Sequence, residues 1–73
     1  MYQERSGIWD ELAGKWKQFR GEVRKQWGML TDDDFAYVAG QRDKLVGKVQ
    51  ERYGIAKEEA ERQVDLWSND LRF

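Results

Sequence analysis

One cluster of cationic side chains stands out in this sequence. Lys17, Arg20 and Arg24 follow one another at intervals of three and four residues, within a segment (15–27) that holds five Lys and Arg residues against one acid. On a helix this spacing places the three side chains along one flank. Cations arranged in this way, with tryptophans nearby, can bind phosphate backbones and other anions. The alternative is a solvated helix flank whose aliphatic stems cover the tryptophans.

Three consecutive aspartates, 32–34, form the second charged group of interest. Calcium loops place their ligands at alternate positions and need a turn glycine, and this run has neither feature. Acidic residues are stabilised at a helix start, and Thr31 with Asp34 has the spacing of a capping box. We therefore predict a helix start and no metal site here, and these carboxylates can lie close enough to neutralise the basic flank.

Other reactive side chains lack the partners that catalysis needs. The hydroxyl groups of Ser6, Thr31 and Ser68 have no histidine to activate them, because the sequence contains none. The segment 40–48 is like a phosphate-binding loop only superficially, since six residues rather than four separate its glycines and valine follows the lysine. No pair among the 14 acidic residues is singled out by its spacing. We predict a protein that is not an enzyme and binds no cofactor.

Length and composition exclude further classes of protein. The chain has 73 residues, which favours one small domain over residues 1–73. Its 13 basic and 14 acidic side chains give a net charge of −1, which argues against a dedicated nucleic-acid or membrane-surface binder. It has no cysteine for a disulfide or a zinc–thiolate site. The sequence shows neither a signal peptide nor an apolar run of about 20 residues, so we expect no membrane span.

Helices must position these side chains. Apolar residues of the first half recur at steps of three and four, which is typical of a helix with one buried face. The glycines at 28 and 54 are good left-handed stops, whereas Ala56 stands where a capping Ser or Thr would be expected. The sequence predicts four helices: about 8–28, 32–39, 41–53, and a last one that begins after residue 56.

The glycines reveal an internal repeat. Shifting the sequence by 26 places Gly14, Gly21 and Gly28 on Gly40, Gly47 and Gly54, and the acidic helix start at 32 on that at 58. This register predicts two copies of one unit, each a helical hairpin. The predicted fold is therefore all-α, a small four-helix bundle of two α-hairpins that cover each other's apolar faces. We expect residues 1–7 and 68–73 to be frayed.

Three helical glycines, Gly14, Gly21 and Gly47, lie away from the apolar stripes. Glycine inside a helix costs about 0.8–1 kcal/mol relative to alanine. Either another helix crosses closely on that side or these helices are weak, and the sequence leaves both interpretations open. The core that the stripes predict consists of Trp9, Leu12, Trp16, Phe19, Val23, Trp27, Leu30, Phe35, Val38, Leu45, Val49, Tyr53, Ile55, Val64 and Trp67.

The sequence as a whole resembles a known family. The stretch GKWKQFRGEVRKQWGMLTDDD, followed by GQRDKLVGKVQERYGIAKEEAERQVDLW, is similar to the CsbD-like family of small bacterial stress-response proteins, over about residues 7–67. The resemblance implies a four-helix fold and a cytoplasmic protein raised under general stress. It implies no catalytic residue, cofactor or ligand.

Three functional hypotheses follow. The first is a non-enzymatic, monomeric stress-response protein. The second is a hydrophilin-like protectant against desiccation or osmotic stress, which the glycines and the mean hydropathy of −0.97 favour. The third is a weak nucleic-acid or anion-binding module that uses Lys17, Arg20 and Arg24.

Overall fold

The computed structural model describes the backbone of residues 4–71 and the side chains of residues 8–71. Within this range the chain is all helical, with five helices and no strand. The helices are α1 (Glu4–Gly14), α2 (Trp16–Gln26), α3 (Asp32–Val38), α4 (Arg42–Tyr53) and α5 (Lys57–Asp70).

The expected fraying of the two ends stays a prediction. Residues 1–3 and 72–73 lie outside the described range, while residues 4–7 belong to α1 and residues 68–70 to α5.

The first apolar stripe forms two helices, so the prediction of one continuous helix over 8–28 is wrong. Lys15 leaves the helical backbone conformation, with φ −120° and ψ 32°, between α1 and α2. The preceding Gly14 is a weak helix former, which lowers the cost of a break. The turn between α3 and α4 also meets the chain here, since a Cβ on Gly40 would lie only 2.4 Å from the Cα of Ala13. Five helices therefore form where four were expected.

The prediction of a left-handed stop at Gly28 is also wrong. α2 ends at Gln26, and the chain leaves it through Trp27 (φ −130°, ψ 82°), whose N–H donates to the Val23 carbonyl at 2.8 Å. The left-handed glycines of the described chain are Gly40 and Gly54. Because Trp27 is buried, its place in the core, rather than a glycine cap, directs the chain out of α2.

The predicted helix signals further along the chain are confirmed. The Thr31 hydroxyl accepts from the Asp34 N–H at 3.2 Å, and the Asp34 carboxylate accepts from the Thr31 N–H at 3.0 Å, which completes a capping box. α4 ends at the left-handed Gly54 (φ 64°), and the N-cap Ala56 of α5 makes no side-chain cap. α3 ends at Ala39, whose φ of 47° is left-handed without being glycine.

Thirteen buried apolar side chains form one core. Most of the predicted core residues belong to it, but Trp16, Phe19 and Ile55 are only partly buried at its edge. Tyr53 is exposed, which corrects its predicted burial, because its hydroxyl accepts a hydrogen bond from the Met29 N–H at the surface. The buried apolar residues are Trp9, Leu12, Val23, Trp27, Leu30, Phe35, Val38, Leu45, Val46, Val49, Ala60, Val64 and Trp67.

Tryptophans join the first and last helices through this core. The Trp67 ring lies 6.2 Å from that of Trp9 and 5.5 Å from that of Trp27, centroid to centroid. The Trp27 indole N–H donates to Gln63 of α5 at 3.1 Å. α5 packs against α4, and α4 against α3, so the apolar faces of all these helices meet in one place.

The helical glycines do not mark close crossings within the described chain. A Cβ at Gly14, Gly21 or Gly47 would meet nothing within 4 Å. The close-crossing interpretation therefore has no support inside the molecule at these three positions. Gly40 is different, because it is buried, left-handed (φ 79°) and in backbone contact with Ala13.

Candidate functional site: the basic flank of α2

The three predicted cations lie together on α2. We call Lys17, Arg20 and Arg24 the basic flank. Since a helix turns about 100° per residue, these side chains fall within about 60° of arc. Val23 is buried on the neighbouring face, where it anchors α2 to the core. The three residues thus share one side of a single helix, and their role in anion binding stays a prediction.

The guanidinium groups of the flank lie over the start of α3. The Arg24 guanidinium is 5.0 Å and that of Arg20 5.9 Å from the centroid of the buried Phe35 ring. Both distances are within the range of a cation–π contact. The Trp16 indole N–H donates to the Phe35 carbonyl at 2.7 Å. Phe35 therefore links α3 to α2 through its carbonyl and contacts the two guanidinium groups through its ring.

Asp32 neutralises part of this charge. Its carboxylate lies 2.6 Å from the Arg24 guanidinium and 4.0 Å from that of Arg20. The Asp32 side chain is 77% exposed and that of Arg24 53%. The expectation that the aspartates at 32–34 lie close to the flank is confirmed for Asp32. Lys17, in contrast, makes no ion pair with an acid of the described range.

Asp34, two residues later, faces the interior. It accepts two hydrogen bonds from the Arg52 guanidinium, at 2.7 and 2.9 Å, and its carboxylate lies 3.6 Å from the Lys48 ammonium. The hydrogen bonds from Arg52 hold the pKa of Asp34 well below its ordinary value; burial opposes this shift, and the Thr31 N–H and the nearby Lys48 charge reinforce it. Asp34 in turn raises the pKa of Arg52. This carboxylate joins α3 to α4.

Comparison with known proteins identifies the family of this chain. The model of the CsbD-like family matches residues 6–62. The chain belongs to the CsbD-like family. It is 59% identical over 66 residues to the UPF0337 protein YjbJ of Escherichia coli K12, covering 88% of this chain and 96% of the relative. It is also 45% identical over 62 residues to the UPF0337 protein NE2439 of Nitrosomonas europaea, covering 85% of this chain and 66% of the relative.

The hydroxyl groups of Thr31 and Ser68 serve the helices of this CsbD-like chain, and the Ser6 side chain lies outside the described residues. Thr31 caps α3, as the capping box shows. Ser68 is buried and donates to the Asp65 carbonyl at 3.0 Å. Asp65 also accepts two hydrogen bonds from Arg42, at 2.8 and 3.0 Å, which join the start of α4 to α5. Among the described residues, no three metal-ligating side chains come together.

A second cationic–aromatic contact was missed in the sequence of this CsbD-like chain. The ammonium groups of Lys44 and Lys48 each lie 5.0 Å from the centroid of the exposed Tyr37 ring. Gly47 lies beside them on α4 and leaves a shallow groove along the ring. The spacing of the two lysines, i and i+4, was visible in the sequence, but the ring they contact lies on another helix.

Among the helices of the described range, none combines the length and the apolar character that crossing a membrane requires.

Proposed function

We propose that this chain is a non-enzymatic general stress-response protein that acts in the bacterial cytoplasm as a monomeric folded domain. Membership of the CsbD-like family, whose members are usually described as general stress-response proteins, supports the cellular role. The observation that supports the non-enzymatic part is the engagement of Asp34, the buried carboxylate of the described chain. This buried carboxylate is fully engaged by Arg52, Lys48 and Thr31, so it holds the fold and is not free to exchange a proton with a substrate.

A deletion strain of the host bacterium tests this proposal. Survival after stationary phase, osmotic shock and drying is compared between the parent, the deletion strain, and strains that express graded amounts of the protein. We expect the deletion to lower survival, and rescue to rise in proportion to the amount of protein, because a non-catalytic protein acts stoichiometrically. Unchanged survival would contradict the stress role, and full rescue by a trace amount would contradict the non-enzymatic role.

A fold-breaking variant provides the matched control in the same strain. Val49→Asp places a charge in the fully buried core, so it should abolish rescue if the folded domain is the active form. A hydrophilin-like protectant that acts as an unfolded chain would instead rescue as well as the parent. If Val49→Asp abolishes rescue, the purified parent should also show a cooperative thermal melt when it is monitored by circular dichroism.

The second candidate function is weak binding of anions by the basic flank. The observation that favours it is the placement of three cations on one side of α2, with Lys17 unpaired among described acids and Arg24 held by a single exposed carboxylate. Binding to an oligonucleotide at low salt should weaken in Lys17→Gln and remain in Lys25→Gln, which removes an α2 cation outside the flank. Equal weakening by both changes would argue for net charge alone rather than a site.

We also propose that residues 1–73 form one domain built from two related hairpins offset by 26. In this proposal α2 corresponds to α4, and α3 corresponds to α5. Burial at equivalent positions supports it, since Val23 and Val49 are fully buried, as are Val38 and Val64. The test is cooperativity: unfolding by urea should give one transition at both tryptophan fluorescence and far-ultraviolet circular dichroism, whereas two transitions would indicate independent hairpins.

A further inference from the structure

The contact of Asp32 with the basic flank is built from exposed groups. Its carboxylate touches the Arg24 guanidinium at 2.6 Å and approaches that of Arg20 at 4.0 Å, while its own side chain stays 77% exposed. Exposed ion pairs of this kind contribute little to stability. A competing anion can therefore replace the Asp32 carboxylate without disturbing the core.

The three cations of the flank have the spacing of a linear charge array. At a rise of 1.5 Å per residue, their Cα atoms are separated by about 4.5 Å and about 6 Å along the axis of α2. Asp32 removes one charge from this array. Lys17, at the end of the array away from Asp32 along the sequence, makes no ion pair with a described acid. The array, counted with Asp32, thus has a net charge of +2, which rises to +3 when Asp32 is displaced.

The chemistry of α2 selects the kind of partner. Its apolar side chains are directed to the core: Val23 is buried, and Trp16 and Phe19 pack against the core at its edge. A helix that lies in a bilayer surface needs an apolar face for the acyl chains, and α2 has no such face available. The Phe35 ring under the guanidinium groups is fully buried and cannot stack on a base. The basic flank is therefore suited to recognise the charge of phosphate groups and not the base sequence of a nucleic acid.

We propose that the basic flank binds the phosphate backbone of a nucleic acid, and that Asp32 is a built-in competitor that occupies Arg20 and Arg24 until phosphate displaces it. This rests on the anion-binding function proposed above and adds its partner and its regulation. Binding is sequence-independent and strongly salt-dependent. For three phosphates of a single strand, the logarithm of the binding constant falls with a slope of about −2 against the logarithm of salt concentration.

The test is the affinity of two single-residue variants. Asp32→Asn removes the competitor, whereas Asp33→Asn removes the same charge from the same helix turn and touches no cation of the flank. Binding to a fluorescent oligothymidylate of about 20 nucleotides, longer than a typical single site, is measured by anisotropy. We expect Asp32→Asn to bind roughly 1.5- to 5-fold more tightly than the parent, the range that an exposed ion pair supports, and Asp33→Asn to change affinity by less than half as much. Equal effects of the two variants would overturn the competitor role.

Further variants separate failure of this proposal from failure of the anion-binding function. Lys17→Gln/Arg20→Gln/Arg24→Gln should lose binding while far-ultraviolet circular dichroism at the assay temperature shows the helical content of the parent. If the parent and Asp32→Asn both fail to bind at low salt, anion binding itself is wrong. If the parent binds, the triple variant does not, and Asp32→Asn matches Asp33→Asn, only the competitor role is wrong. Binding to vesicles of anionic phosphatidylglycerol without binding to the oligonucleotide would overturn the choice of nucleic acid.

Discussion

Two aspartate–arginine contacts start from the same turn of α3 and serve different regions of the molecule. Asp34 faces inward, is almost fully buried, and accepts two hydrogen bonds from Arg52. Asp32 faces outward, is mostly exposed, and meets Arg24 through one oxygen. The residue types are identical, so their surroundings set the difference. Burial makes the first contact part of the fold, whereas water around the second leaves it replaceable.

The same contrast holds for two glycines, and it gives the largest expected effect. Gly40 belongs to the interior region: it is left-handed, and a Cβ there would collide with the Ala13 backbone. Gly21 belongs to the α2 surface, where a Cβ meets nothing within 4 Å. We expect Gly40→Ala to lower the free energy of unfolding by about 2–5 kcal/mol and Gly21→Ala to raise it by about 0.5–1 kcal/mol. Urea unfolding measures both, and a harmless Gly40→Ala would contradict the close approach of α1.

The two aspartates should differ next in their effect on stability. Asp34→Asn leaves the Arg52 guanidinium without its counter-ion, and we expect a loss of about 2–4 kcal/mol, toward the lower end of the range for breaking a buried pair because Arg52 is partly exposed. Asp32→Asn should cost less than about 1 kcal/mol. Chemical denaturation of the two variants provides the comparison. Similar losses would mean that burial does not separate the two contacts.

Lowering the pH should separate the two aspartate contacts further, because it acts mainly on the buried contact of Asp34. The pKa of Asp34 is lowered in the folded protein, first by the Arg52 hydrogen bonds, relative to about 3.9 in the unfolded chain. The stability that Asp34 supplies is therefore present above about pH 4 and is lost as the pH falls toward the lowered value. Between about pH 6 and pH 2, we expect the parent to lose at least about 1.4 kcal/mol more than Asp34→Asn, the free energy of one pKa unit. Parallel pH profiles for the two proteins would contradict this.

Local signals in the sequence predicted part of these regions. Thr31 and Asp34 were identified as a capping box because both partners lie within one turn. Arg52 could not be identified as the partner of Asp34, since the two are 18 residues apart and their contact depends on how α3 packs on α4. The exposure of Tyr53 has the same origin, because its hydroxyl meets the Met29 backbone 24 residues away. The break at Lys15 lies next to the close approach of Gly40 to Ala13, a contact that no local pattern reveals.

The basic flank was predictable because it is a property of one helix. Lys17, Arg20 and Arg24 share a side of α2 by spacing alone, and the acidic run was expected to lie nearby. Which of the aspartates would face the flank was not predictable, since that depends on the rotation of α3 in the fold. The structure places Asp32 toward the flank and Asp34 toward the core.

The most direct test of the central claim is a pair of double-mutant cycles, one for Asp34 with Arg52 and one for Asp32 with Arg24, each measured by urea unfolding at low and high salt. We predict a coupling energy of about 1.5–3 kcal/mol for the buried contact, with little dependence on salt. For the exposed contact we predict about 0.2–1 kcal/mol, falling toward zero at high salt. Equal coupling energies with equal salt dependence would contradict the division into a structural interior and a replaceable surface contact.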